Sequence, residues 1–132
     1  MPPVNYFAVL AAAVATFVIG GLWYSPLLFQ QPWMRAAGVT ADTLQGGAAR
    51  VFGVSFVLAL VMAFNLAMFL APANTTVAWG ATAGALAGVG WVALSVTTTA
   101  LFERRPWSYA LINGGYWAVS FVVMGAILGA WR

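Results

Sequence analysis

Charge is what this chain has least of. Its 132 residues include five arginines, one aspartate and one glutamate, so 5% are charged, where a soluble domain has about a quarter. A chain with so few ionised groups cannot cover itself in water-compatible surface. Histidine and cysteine are absent altogether. Without them the commonest general base, the thiolate nucleophile and the usual ligands for zinc, haem and iron–sulfur centres are missing. The two carboxylates, Asp42 and Glu103, both fall outside the long apolar runs, so a serine or threonine nucleophile has no evident base beside it. No catalytic residue, metal site or cofactor is therefore expected. The net charge of +3 comes from connecting segments and gives no support to a nucleic-acid partner.

What is present is hydrocarbon. Hydrophobic residues make up 64% of the chain. No charge occurs from Met1 to Met34, from Val51 to Phe102, or from Pro106 to Trp131, and uncharged apolar runs longer than about 18 residues indicate transmembrane helices. Four spans fit: residues 4–24, 51–71, 77–102 and 107–131. At about 1.5 Å per residue, each reaches or exceeds the roughly 30 Å hydrocarbon core. A cleaved signal peptide is the rival reading of the first run, but Met1 to Tyr6 lacks the positive n-region this needs. Barrel strands would alternate apolar and polar residues, and these runs do not. The expected fold is all-α: a polytopic membrane protein whose four transmembrane helices form a compact bundle, with the whole chain as one domain.

Helix breakers agree with these limits. Pro26 disfavours the α conformation at Ser25, ending the first span near Tyr24. Ser25 then suits an N-cap with Pro26 opening a short helix along the membrane surface. Pro72 ends the second span, Thr75 or Thr76 caps the third, and Pro106 separates the third from the fourth. Asn74-Thr75-Thr76 also matches a glycosylation acceptor. The two connections that share a side hold Arg35, Arg50, Arg104 and Arg105, against Arg132 alone on the other. This bias places both connections in the cytoplasm and the termini outside, while leaving dual insertion open.

Small residues recur every fourth position in all four spans: Ala8, Ala12, Thr16 and Gly20; Ser55, Ala59, Ala63, Ala67 and Ala71; Gly80, Gly84 and Gly88; Ala110, Gly114 and Ala118, then Gly125 and Gly129. Lipid tails are as apolar as leucine, so such stripes, which let backbones approach, are how membrane helices adhere. Stripes left unused would suit a homo-oligomer or a larger membrane complex. Trp23, Tyr24, Pro26, Trp33, Pro106 and Trp107 lie at span ends and read as interfacial anchors. Trp91 and Trp117 lie deeper and are expected to pack between helices. The segments FQQPW (29–33) and FERRPW (102–107) are either two uses of one anchor or the trace of a repeated helical hairpin. Arg104 and Arg105 fit a lipid headgroup or simply fix topology.

Asn65, Asn113 and the hydroxyls of Ser95, Thr97, Thr98 and Thr99 are the polar groups at depth. They read as glue between helices or as the lining of a route for a neutral solute. No acidic or basic side chain lies inside a span, which removes the usual proton relay of ion-coupled carriers. A structural or accessory membrane protein is thus the expected function, with a small dimeric channel or carrier as the alternative.

The segments GLWYSPLLFQQPW (21–33), LFERRPWSYALINGGYW (101–117) and VMGAILGAW (123–131) resemble a bacterial family of small four-helix membrane proteins catalogued only as a domain of unknown function. The Trp-Tyr-Ser-Pro run at residues 23–26 and the Asn113-Gly114 pair carry the likeness most specifically. The resemblance implies the same architecture and a bacterial inner membrane, and it implies no substrate. Gln30 and Gln31 stand where the family pattern suggests a glycine and a basic residue.

Overall fold

A computed structural model describes residues 3–132 as helices and turns, with no strand among the described residues. Helix α1 is Tyr6–Trp23, and α2 (Gln30–Ala37) and α3 (Ala41–Gln45) are short helices in the long connection that follows. Helix α4 is Ala48–Phe69. The third span, Val77–Phe102, is built from α5 (Val77–Ala87), a π-helical segment (Gly88–Ala93) and α6 (Leu94–Phe102). Helix α7, Trp107–Ala130, completes the chain. Four of these units are long and apolar enough to cross a membrane, and the architecture is that of a multi-pass membrane protein.

Each boundary has a local cause. Asn5 Oδ1 accepts the N–H groups of Phe7 and Ala8 at 3.0 and 3.3 Å and starts α1. Thr76 Oγ1 accepts from Trp79 N–H at 3.1 Å and starts α5, and Pro106 occupies the N-cap of α7. Gly38, at φ +70°, closes α2 in the left-handed conformation that a Cβ disfavours. The end of α4 is closed from far along the chain. Arg132 Nη2 donates to the carbonyls of Ala71 and Pro72 at 2.8 and 2.7 Å, and its Nη1 donates to Leu70. A cation is favourable where helix carbonyls run out of partners.

Two sequence expectations need correction here. The short helix after α1 exists, but Ser25 does not cap it. The Ser25 hydroxyl donates back to Leu22 O at 2.7 Å, and the chain turns through residues 25–29 before α2 begins at Gln30. Those turns return Phe29 N–H to Trp23 O at 3.0 Å, which an immediate helix from Pro26 would forbid. Trp91 does not pack between helices either: it is 68% exposed on the outer face.

Helix α7 is the hub, touching α1, α2, α4, α5 and α6, whereas α4 lies at the edge and is held mainly by α1. The first-span stripe is buried at Ala8, Ala12 and Thr16, the second at Ala59, Ala63 and Ala67, and both close on Met124 and Leu128 of α7. Large apolar side chains such as Leu10, Val14, Leu58 and Leu86 face outward. In water that surface would be an aggregation hazard, whereas in lipid it is solvated.

Packing is closest between α5 and α7. A Cβ built on Gly80, Gly84 or Gly125 would fall well under 3 Å from a carbonyl oxygen of the facing helix, and one on Gly129 would meet Thr76 O at 2.5 Å. Here backbone lies on backbone. The antiparallel register pairs Gly80 with Gly125, Gly84 with Phe121, and Gly88 with Trp117 and Phe121. One α-helical repeat beyond Gly88 would bring Val92 onto this line. The π segment inserts one residue, so Ala93 arrives instead, and a Cβ on Gly114 would lie 3.4 Å from its Cβ. The insertion thus extends the small-residue contact past the last glycine of the stripe.

Candidate functional site

The densest polar and aromatic cluster forms where the end of α1, the following turns and the first half of α7 meet. Trp23, the last residue of α1, donates its indole N–H to Ile112 O at 2.8 Å. Tyr24, just past the helix, donates its hydroxyl to Asn113 Oδ1 at 2.6 Å. Tyr116 donates to Thr16 O at 2.9 Å, one turn deeper. Glycines make room for these rings: Gly115 faces Trp23 at 3.0 Å from a notional Cβ, and Gly20 faces Tyr116 at 3.4 Å. The rings pack in series. Trp23 lies 4.9 Å from Phe29, Tyr24 lies 5.2 Å from Trp33 and 5.4 Å from Tyr116, and Tyr116 lies 4.9 Å from Trp117. These are the offset and edge distances at which aromatic pairs attract.

A phenol is protonated at neutral pH, so the Tyr24 hydroxyl serves here as a hydrogen-bond donor, not as a base. The arrangement is a clasp that fixes α1 and α2 against α7. Trp23, Tyr24 and Trp33, read from sequence as anchors, are drawn into it, while Pro26 is exposed beside it. The other anchor pair stays outside: Pro106 is exposed and Trp107 is 64% exposed. FQQPW and FERRPW are consequently used differently, one folded onto the clasp and the other forming an open turn.

Arg105 ties that turn to α2. Its Nη1 donates to Ala37 O at 3.0 Å, its guanidinium lies 5.6 Å from the Tyr109 ring centroid, and Glu103 Oε1 is 3.8 Å from its Nε. Arg104 is exposed at φ 60°, in a turn where Arg105 N–H reaches Ala100 O at 2.9 Å. The two arginine-bearing connections therefore share one end of the molecule. Arg132 and the α4–α5 turn occupy the other.

The remaining polar groups of the spans do not converge. Thr97 and Thr98 donate to Ala93 O and Leu94 O at 2.8 and 2.9 Å, and Ser95 donates to Trp91 O, all within their own helix. Ser95, Thr98 and Thr99 are exposed on the outer face. Asn113 is held by Tyr24, and Asn65 is exposed on α4 far from the clasp. Two hollows lie at opposite ends of the molecule. One of about 490 Å³ lies between the start of α1 and the ends of α4 and α7, lined by Asn5, Leu70, Trp131 and Arg132, and one of about 260 Å³ lies beside Ser95, Thr99 and Tyr109. Among the described residues, no group of three or more metal-ligating side chains occurs.

Sequence reasoning missed two elements of this arrangement. The Arg132 cap was hidden because its partners are backbone carbonyls 60 to 62 residues away. The Trp23 and Tyr24 bonds span 89 residues, and the available signal was that Trp-Tyr-Ser-Pro and Asn-Gly-Gly-Tyr are each rare combinations in an otherwise repetitive apolar chain.

The model of a family described as "Protein of unknown function (DUF1761)" matches residues 7–129, nearly the whole chain. The chain belongs to the DUF1761 family. The match spans both partners of the clasp and all four spans, so the resemblance carried by residues 23–26 and 113–114 coincides with two segments that touch in space. No curated protein and no solved structure matches this DUF1761 chain.

Proposed function

We propose that this DUF1761 protein is a structural or accessory membrane protein, not an enzyme, seated in a bacterial inner membrane with its arginine-rich end in the cytoplasm and its termini outside. The observation that supports this reading is the fate of the polar groups inside the spans. The hydroxyls of Ser95, Thr97 and Thr98 turn back on carbonyls of their own span, Asn113 is consumed by the clasp, and the two hollows lie at opposite ends of the molecule. A route for solute needs polar groups aimed into a common passage, and a catalytic centre needs an acid or base beside a nucleophile. The clasp holds instead a protonated phenol, an amide and backbone carbonyls, whose chemistry is positional. Four arginines at one end against one at the other support the orientation.

Purification in a mild detergent, with identification of what accompanies the protein, tests the accessory role. A stoichiometric membrane partner is the expected result. Reconstitution into liposomes tests the alternative of a small channel or carrier. Swelling in glycerol or urea above that of protein-free vesicles, stopped by Asn113→Leu while the fold persists, would replace the accessory reading with transport.

A further inference from the structure

Helix α4 presents an outward face that no other described part of the molecule covers. Val51, Val54, Leu58 and Val61 are 52 to 60% exposed, Asn65 continues the line and is exposed, and Met68 is half-buried. The steps between these residues alternate three and four. That is the heptad spacing of a left-handed helix pair, with Val51, Leu58 and Asn65 at equivalent positions and Val54, Val61 and Met68 at the other set. Within α4 and the residue ending it, the opposite face carries the buried Ala59, Ala63, Leu66, Ala67 and Leu70 that meet the rest of the bundle. The helix is thus two-sided, with small residues inward and a branched apolar seam outward.

Asn65 decides what the seam faces. The uncharged part of α4, residues 51–69, centres on residue 60, so Asn65 lies about 7.5 Å from the middle of the hydrocarbon and about as far inside its edge. Its side chain is too short to reach the headgroups as lysine or arginine does. Its amide makes no hydrogen bond among the described residues, although Asn5 and Asn113 both do. An unpaired amide facing lipid is costly. An amide carries both donor and acceptor, so a second amide related by a twofold axis satisfies it. Two copies inserted in the same orientation place their α4 helices parallel, and a parallel heptad pair sets Asn65 opposite Asn65.

We infer that the protein forms a twofold-symmetric dimer through the Val51, Val54, Leu58, Val61 and Asn65 face of α4, with the two Asn65 amides hydrogen-bonded to each other inside the membrane. A single polar residue in such a seam fixes register and oligomer number. The dimer leaves the clasp and the α5–α7 contact untouched and stands apart from the accessory role, since a dimer can serve that role or transport.

The absence of native cysteine makes the test direct. Single cysteines are placed at Leu58 and Val61 on the seam and at Leu86 on the outer face of α5, which is 63% exposed. Mild copper-catalysed air oxidation of native membranes should link Leu58→Cys and Val61→Cys chains into dimers and leave Leu86→Cys monomeric. In detergent, Asn65→Leu should weaken dimerisation about tenfold while the melting temperature of the monomer holds, and Asn65→Gln should recover most of the loss. Equal linking at Leu86, linking of the seam cysteines to a different protein, or a dimer constant unmoved by Asn65→Leu would each overturn the inference. A monomer that still copurifies with a companion would remove the dimer and leave the accessory role intact.

Discussion

Gly84→Ala should unfasten the centre of the molecule. The added methyl would sit well under 3 Å from the Phe121 carbonyl oxygen and 2.7 Å from its carbonyl carbon, both parts of the α7 backbone. Backbone cannot rotate aside as a side-chain end can, so α5 and α7 must part by roughly 1 Å to restore ordinary contact. A gap of that size forfeits up to about half of the attraction between each pair of atoms it separates. Because Gly80 and Gly88 sit one turn to either side on the same line, the separation spreads along the seam, and a cost of about 3 kcal/mol is expected. Alanine is the better helix former by about 1 kcal/mol, leaving a net loss of about 2 kcal/mol. Gly53→Ala provides the control: a Cβ there meets nothing within 4 Å, so only the helix-propensity gain remains. Reversible unfolding in mixed micelles should separate the two variants by about 3 kcal/mol. If Gly84→Ala and Gly53→Ala unfold within about 0.5 kcal/mol of each other, α5 and α7 are not in backbone contact and the fold described above is wrong.

Other outcomes follow from single contacts. Tyr24→Phe and Asn113→Leu, combined in a double-mutant cycle of unfolding free energies, should show a coupling of about 1 kcal/mol, and additive effects would place the two side chains apart. Arg132→Ala removes donors to three successive carbonyls and should destabilise by about 1 kcal/mol, with faster hydrogen exchange confined to the last turn of α4. Thr76→Ala should cost about 1 kcal/mol in the same assay, and Thr76→Asp should restore most of it. Arg104→Gly relieves a left-handed residue at φ 60° and should be neutral or stabilising by up to about 1 kcal/mol, judged by melting temperature.

Much of the architecture was legible from the chain alone. Arg50, Glu103 and Arg105 bound runs that only hydrocarbon tolerates, and the observed helix ends lie within a few residues of those limits. Thr76 was legible as a cap because its hydroxyl acts three residues away. Ser25 shows where local reasoning stops, since the same hydroxyl serves a cap or a back-bond to the preceding turn equally well. Trp91 shows the same limit for burial. Depth along a helix follows from position, but the facing side depends on a π insertion that shifts the line by one residue.

By itself the sequence determined the solvent, the number of spans and the residue types available for chemistry, because these depend on composition and on length along the chain. Only the tertiary structure decided which small-residue stripe faces which, that the Trp-Tyr-Ser-Pro and Asn-Gly segments meet as one clasp, and that Asn65 is left outside it. Those outcomes depend on helix rotation and register. In a chain where nearly every face is apolar, no contrast between wet and greasy sides marks the inward direction, so backbone proximity at a few glycines must choose it.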